Sequence, residues 1–368
     1  MDDNHGRFRF ELSSPKDGQE LLEILEAEPF EGKIELLYTR RHDAYASFQL
    51  EGDPVEVVIC RDTRTGRIAG MGVSANRLLY VNGEPREVGY LFGLRARPEY
   101  RRATTVLHRG YARLRQLQHR PPCFSLTSIL EENLYARRLL EKRRPFMPVY
   151  EPLVSCTVYA MSPGKLRLRR LRSDLRRATT ADLPALVRFL REQGARQQFF
   201  PFIDENSFDR PPFSGLRIED FLLWEQGGQL VAAAGLWDQS AYRQYLVLGY
   251  RGALRVLRPL SFLLPLCGLP ALPPAGSQLR FLTLSLWAVR DDNPALFADF
   301  LEQVSSDAGS YPLLLASLAA GNPLEPALAA RRHIGYRSRI YLVYWPDQEA
   351  EAAAIRRDLS PYLECGLL

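Results

Sequence analysis

Arg101 and Arg102 are adjacent guanidiniums set between a strand-like run and an apolar helical pattern. The run begins at Glu87 and reads EVGYLFGLRARPEY, so Val88, Tyr90, Phe92 and Leu94 share one face of an extended chain. Pro98 has no N–H for a ladder, which ends the strand near it. After the arginines come Ala103, Thr104 and Thr105, then Val106, Leu107, Tyr111 and Leu114 at helical spacing. A loop entering a helix N-terminus gathers free backbone N–H groups. With two arginines beside it, the place suits a phosphate. The plain alternative is a strand–helix crossover with solvated arginines.

Arg97-Pro98-Glu99-Tyr100-Arg101-Arg102, after an apolar strand and before a helix, resembles motif A of the GNAT superfamily, the acyl-CoA-dependent N-acyltransferases. That pattern continues with glycines, where this chain has Ala103, Thr104 and Thr105. Glycine leaves room for a pyrophosphate against the backbone; Ala and Thr keep the N–H donors and narrow the approach. The resemblance implies that acetyl-CoA or another acyl-CoA binds as co-substrate. Its phosphates would lie on Arg101, Arg102, Ala103, Thr104 and Thr105, and its pantetheine amides on the backbone of Leu94, Arg95 and Ala96. It also assigns Asn133, which opens the helical run NLYARRLLEKRR, to the pantetheine arm. The family's thiolate-protonating tyrosine falls on Leu140, so that acid is absent. The family's base, often a glutamate upstream on the central strand, corresponds to Glu87 as the nearest carboxylate, or to Tyr90 by ungapped counting.

The elements that must position these residues recur. The first half reads strand (Phe8–Leu12), capped helix (from Ser14-Pro15), a hairpin of Val55–Arg61 and Ile68–Val81, an Asn82-Gly83 turn, the central strand, a helix to about Gln118, a strand at Cys123–Thr127, a helix from Asn133 and a closing strand to Met161. The second half repeats the order. It has Leu175–Ala178, a helix capped by Thr180, a hairpin about Gly227-Gly228, Leu279–Val289, Pro294–Val304, Leu313–Ser317, Leu324–Arg332 and Arg337–Tyr344. We therefore expect a mixed α/β fold of two GNAT-like domains in tandem. The N-terminal domain spans 1–161 and holds the acyl-CoA site. An arginine-rich linker covers 162–174. A degenerate C-terminal domain spans 175–368, with an insertion at 240–277. Asp291 and Asp292 stand where the second half would need a phosphate loop, and their charge would repel a pyrophosphate.

Composition bounds the rest. The 368 residues are 46% hydrophobic and 25% charged, which describes a globular protein of about two domains. The net charge of +5 is small for this length and does not by itself imply nucleic acid, which is not expected as a partner. Five scattered cysteines without a C-x-x-C spacing read as free thiols in a reducing compartment, the cytoplasm. The five histidines form no metal-ligand pattern, so no metal is expected. The N-terminus carries no apolar signal region. The apolar run Pro259–Ser277 is broken by prolines and falls short of a transmembrane span. It reads as a buried insertion, with contact at a membrane surface as the alternative. The resemblance implies direct acyl transfer to a small-molecule or N-terminal (peptide) amine. Two rivals stay open: a non-catalytic acyl-CoA-binding or interaction module, and an aminoacyl-tRNA-dependent transferase of paired GNAT-like domains.

Overall fold

A computed structural model describes residues 6–30, 32–100, 104–118, 122–163, 174–267 and 271–368. The first half contains β1 (Phe8–Leu12), α1 (Gly18–Glu26), β2 (Ile34–Thr39), α2 (Ala44–Phe48), β3 (Val55–Asp62), β4 (Ile68–Val81), β5 (Glu84–Ala96), α3 (Thr104–Leu117), β6 (Ser125–Leu130), α4 (Leu134–Glu141) and β7 (Val149–Met161). The second contains β8 (Leu175–Arg177), α5 (Leu183–Gly194), β9 (Phe221–Gln226), β10 (Gln229–Trp237), β11 (Gln244–Tyr250), α6 (Ala253–Leu257), β12 (Leu282–Val289), α7 (Pro294–Asp307), β13 (Leu314–Ala319), α8 (Glu325–Ala329), β14 (His333–Tyr344) and α9 (Glu349–Ala353).

Local chemistry sets many of these boundaries. Ser14 caps the first helical turn in a box with Asp17, and Pro15 occupies the first helical position, where its missing N–H costs nothing. Thr179 and Asp182 repeat that box, one residue earlier than the expected Thr180 cap. Asn82 (φ 57°) and Gly83 (φ 90°) are both left-handed, the conformation that joins twisted strands tightly, and they bring β5 back along β4. Val88 is fully buried and Tyr90 nearly so, whereas Leu94, expected on their face, is exposed. The cause is a bulge. The β4–β5 register shifts between Val73↔Phe92 and Met71↔Arg95, and Gly93 in the bulge has φ 62°.

One twelve-stranded sheet runs through both halves in the order β1-β3-β4-β5-β6-β14-β7-β13-β12-β10-β9-β8. Its centre is a reciprocal exchange. β14 of the second half lies between β6 and β7 of the first, and β7 lies between β14 and β13 of the second. The β7–β14 ladder runs antiparallel from His333↔Met161 to Tyr344↔Val149. In each half the central strand pairs in parallel with the next strand over a short stretch only: Gly89↔Ser125 and Tyr90↔Leu126 in the first, Leu282↔Leu314 and Thr283↔Leu315 in the second. Beyond those pairs the strands part, and Thr127 Oγ1, not a backbone N–H, donates to Leu91 O at 2.7 Å.

The face of the sheet bearing Leu91, Ile129, Tyr150 and Tyr341 is covered by α3 and α4. The opposite face of β3 and β4 packs under α1 and α2 through Leu21, Ile24, Phe48, Ile59 and Met71. A second, two-stranded sheet joins β11 of the second half to β2 of the first, from Gln244↔Thr39 to Tyr250↔Ile34. The insertion therefore includes a strand that pairs with the first half. Its apolar stretch is not buried as expected. Leu260, Phe262 and Leu263 are exposed, because only Ser261 of that turn faces inward. Among the described residues no helix is long and apolar enough to cross a membrane.

A buried ionic cluster ties these pieces together. The Glu51 carboxylate, 2% exposed, accepts from Arg40 Nη2, from Arg243 Nη2 at 2.6 Å and from Arg77 Nη2 at 3.1 Å. Burial alone would raise its pKa. Arg243, Arg40 and Arg77 outweigh that and hold it at about 2, against an ordinary 4.5. The folded-state pKa is depressed, so this stabilisation is complete above pH 4.5 and is lost as pH falls toward 2. Replacing Glu51 by Gln leaves three buried guanidiniums without their counter-charge. It should cost about 3–5 kcal/mol in chemical denaturation at neutral pH. Acid titration of the variant should lack the stability loss that the wild type shows between pH 4.5 and 2.

Candidate active site

Two V-shaped openings follow from the parting of β5 from β6 and of β12 from β13. They differ in what fills them. In the second half, the segment after α9 enters the opening. Leu286 N donates to Glu364 Oε2 at 2.7 Å, Trp287 N to Tyr362 OH at 3.2 Å, and Ser317 Oγ to Leu363 O. Leu286 sits at φ 46°, in a register shift that matches the Gly93 bulge of β5. All of β12 is buried. Gly366 lies so close to Trp237 that a Cβ would meet the indole at 2.6 Å. The opening is occupied by the chain itself.

The expected electrostatic reason for the closure of this half is corrected by the structure. Asp291 pairs with Arg196, and Asp292 accepts from Gln197 Nε2 at 3.1 Å. The first N–H groups of α7 are taken by Asn293, whose Oδ1 accepts from Ala295 N and Leu296 N. The aspartates turn away from the helix start, and a neutral cap occupies it.

In the first half, apolar side chains are exposed on the elements that flank the opening: Leu94 on β5, Leu130 at the end of β6, and Leu134 and Tyr135 on the first turn of α4. Asn133 lies in the chain between β6 and α4. Its Oδ1 accepts from Ala136 N at 3.0 Å, so the carbonyl end of the side chain caps α4. Arg101, Arg102 and Ala103 lie outside the described residues. Thr104 and Thr105 form the first turn of α3. The preceding motif residues are anchors. Arg97 Nε donates to Ile68 O at 2.9 Å and its Nη2 to Glu23 Oε2 at 3.0 Å, while Tyr100 OH donates to Asp62 Oδ2 at 2.9 Å. They pin the turn between β5 and α3 to α1 and β3.

The proton-handling candidates separate. Glu87 lies six residues before Gly93, and at about 3.3 Å per residue this is roughly 20 Å down the strand from the bulge. Its backbone carbonyl accepts from Cys123 Sγ at 3.2 Å, near the closed end of the V. Tyr90 lies on the buried face, with the Arg77 guanidinium 4.3 Å above its ring. Burial raises its pKa to about 12, despite the opposing pull of Arg77 and Arg243. Tyr90 is therefore a phenol at neutral pH, a donor and not a base. Glu51, beneath it, is held ionised by three guanidiniums and has little affinity for a proton.

Two residues gain importance that sequence reasoning did not give them. Gly93 makes the bulge that shifts the register of β5 against β4, and a glycine inside a strand pattern was the available signal. Arg95 was assigned by its backbone only. Its half-buried guanidinium lies near Tyr38 and Tyr245 of the small sheet and makes no hydrogen bond or ion pair to a described residue. Burial pulls its pKa down, against the raising influence of those tyrosines. Arg95 has the parity of Phe92 because the bulge absorbs one step, which aims it at the face under α2 and β2. Among the described residues no cluster of His, Cys, Asp or Glu could hold a metal ion.

Closure of the second opening is tested by Gly366→Val. The new side chain meets the Trp237 ring, so thermal unfolding should fall by several degrees, an overpacking cost of about 1–3 kcal/mol. An unchanged midpoint would mean that this segment is not packed in β12's cleft.

No family model matches this sequence, and no curated protein matches it. Solved structures do resemble it in shape. Saccharomyces cerevisiae N-myristoyltransferase with bound myristoyl-CoA superposes with a TM-score of 0.59 at 11% identity, over 94% of this chain and 81% of that one. A second structure of that enzyme with myristoyl-CoA gives 0.58 at 11% identity, over 92% and 83%. A conserved protein of unknown function from Enterococcus faecalis V583, described as a probable N-acyltransferase, gives 0.50 at 9%, over 91% and 72%. The likeness extends over nearly the whole chain, through both halves and the shared sheet, and at such identities it is a likeness of fold. The chain carries the GNAT fold, present twice in tandem.

Proposed function

We propose that this chain is an acyl-CoA-dependent N-acyltransferase that uses its first half for acyl-CoA and transfers the acyl group directly to a small-molecule or N-terminal amine. The observation that supports this most directly is the contrast between the two openings. The β5–β6 opening has a bulged strand and is flanked by exposed apolar residues on β5, β6 and α4, whereas the β12–β13 opening is filled by the chain. An acyl-CoA in the first opening would lay its pantetheine amides along Leu94, Arg95 and Ala96 as an added strand. Its phosphates would meet the first turn of α3 at Thr104 and Thr105, beside Arg101 and Arg102.

In the transfer, the neutral amine attacks the thioester carbonyl, and the N–C bond forms as the C=O pair moves onto oxygen. Backbone N–H groups at the bulge are the donors for that oxyanion. The C–S bond then breaks and the sulfur leaves as thiolate. Leu140 is buried at the position where the resemblance would place a thiolate-protonating tyrosine, so no side chain there returns a proton, and a thiol of ordinary pKa near 8.5 leaves without that help. The amine's own proton passes to water. Arg95, beside Tyr38 and Tyr245, faces a carbonyl or carboxylate of the acceptor.

Release of free thiol from an acyl-CoA series, acetyl to myristoyl, with amino acids and short peptides as acceptors tests the reading. Calorimetry should give one CoA site per chain. Arg101→Ala with Arg102→Ala should weaken it by about 1–3 kcal/mol. Two equivalent sites, or full affinity in that variant, would place the cofactor elsewhere. Binding without thiol release from any acyl-CoA would favour a non-catalytic module.

The pH profile is a separate test. With an N-terminal amine as acceptor, kcat/KM should rise with pH through the amine's own pKa near 8. Tyr90→Phe should leave that profile in place, because the Tyr90 phenol holds its proton until about pH 12. Arg95→Leu should raise KM for the acceptor more than KM for acyl-CoA.

A further inference from the structure

The insertion carries a patch that the transfer chemistry does not use. Val256 and Leu257 on α6, then Leu260, Phe262 and Leu263 on the 3₁₀ segment Arg258–Cys267, are all exposed, with Val256 at 77% and Phe262 at 68%. Leu248 on β11 is exposed as well. Scattered apolar side chains on a surface are ordinary; a run of them on one short excursion is not. The base of the excursion is tied down. Val247 N donates to Ser277 O at 2.9 Å, Tyr250 OH to Pro273 O at 2.7 Å, and Arg258 Nε to Pro273 O at 3.3 Å. A braced base holds the apolar tip outward.

Charge says what the tip meets. Between Asp238 and Asp291 the sequence has no carboxylate, while Arg251, Arg255, Arg258 and Arg280 lie in that interval. Arg251 pairs with Glu35, and Arg280 lies over the Tyr311 ring. Arg255 is exposed between the apolar residues and makes no hydrogen bond or ion pair to a described residue. An apolar surface fringed by unpaired arginine fits the boundary between acyl chains and anionic headgroups. A second copy of this chain is a poor occupant. A two-fold contact would set Arg255 near Arg255, with no carboxylate between Asp238 and Asp291 to offset them.

We infer that α6 and the 3₁₀ segment after it dock the protein on an anionic membrane surface, with Val256, Leu260 and Phe262 entering the headgroup–acyl boundary and Arg255 at the phosphates. The docking tip is rooted in β11, whose partner β2 carries Tyr38 beside Arg95. Docking therefore turns the small-sheet side of the first half toward the bilayer. The inference stands on exposure and charge, independently of the acyl-transfer reading.

Co-sedimentation of the full chain with vesicles decides it. Binding is expected with phosphatidylcholine vesicles containing phosphatidylserine, and little with phosphatidylcholine alone. V256D with F262D, both at exposed positions, should weaken binding more than tenfold while leaving thermal unfolding unchanged. Arg255→Gln should weaken it roughly fivefold, and raised salt should act in the same direction. The proposal falls if no vesicle sediments the protein, if neutral and anionic vesicles bind equally, or if the double variant binds like the wild type. It also falls if the wild type dimerises in solution and the double variant does not, since a second copy would then own the patch.

Discussion

The antiparallel pairing of β7 with β14 is the constraint on which this structure depends. Each strand belongs by chain order to one half and by hydrogen bonding to the other. β14 separates β6 from β7, and β7 separates β13 from β14, so neither half closes its sheet with its own strands. Pulling the halves apart would expose unpaired edges on four strands at once, and buried backbone groups do not remain unpaired cheaply. The exchange also builds the site. β6 is held against β14 through Leu130↔Ser338 while β5 departs from it beyond Tyr90. The wall of the first opening is thus braced by a strand of the second half.

Given that shared frame, the two openings would be near equivalents. What distinguishes them is the segment after α9, which spends its hydrogen-bonding groups on β12. Glu364 takes the N–H groups of Leu286 and Gly366 and the hydroxyl of Tyr362, so a buried carboxylate stands where an added ligand strand would otherwise donate and accept. Burial raises the Glu364 pKa, and these donors oppose the shift. The second half thus fills its opening with its own chain.

The same segment reaches the first half through the Glu51 cluster. Arg77 Nη1 donates to Leu367 O at 2.8 Å, and Arg243 Nη1 to Gly366 O at 2.9 Å. Arg40 brings in α2 through Ser47, and its guanidinium lies over Phe92, one residue before the bulge. One carboxylate thereby joins β4, the loop after α2, the base of the insertion and the final segment. Removing it would loosen the floor beneath Tyr90 and Phe92, so that stability and the shape of the first opening are coupled through Glu51.

Much of this was legible in the amino-acid sequence, for local reasons. Apolar period, Ser14-Pro15, Asn82-Gly83 and Pro98 are short-range signals, and the elements they mark lie where they were expected. The motif from Arg97 to Tyr100 indicated the GNAT fold, because a strand–turn–helix written in adjacent residues needs no distant partner. Only the tertiary structure decided the rest. No local pattern says that β14 inserts between β6 and β7, since that pairing joins residues far apart in the chain. The bulge at Gly93 reversed the outlook of Leu94 and Arg95, which depends on register against β4. Glu87 and Tyr90 looked interchangeable as bases, and position along the strand and depth of burial separated them. The apolar run at Pro259–Ser277 looked like core, because hydrophobicity records a preference for burial but not whether a partner surface exists within the chain.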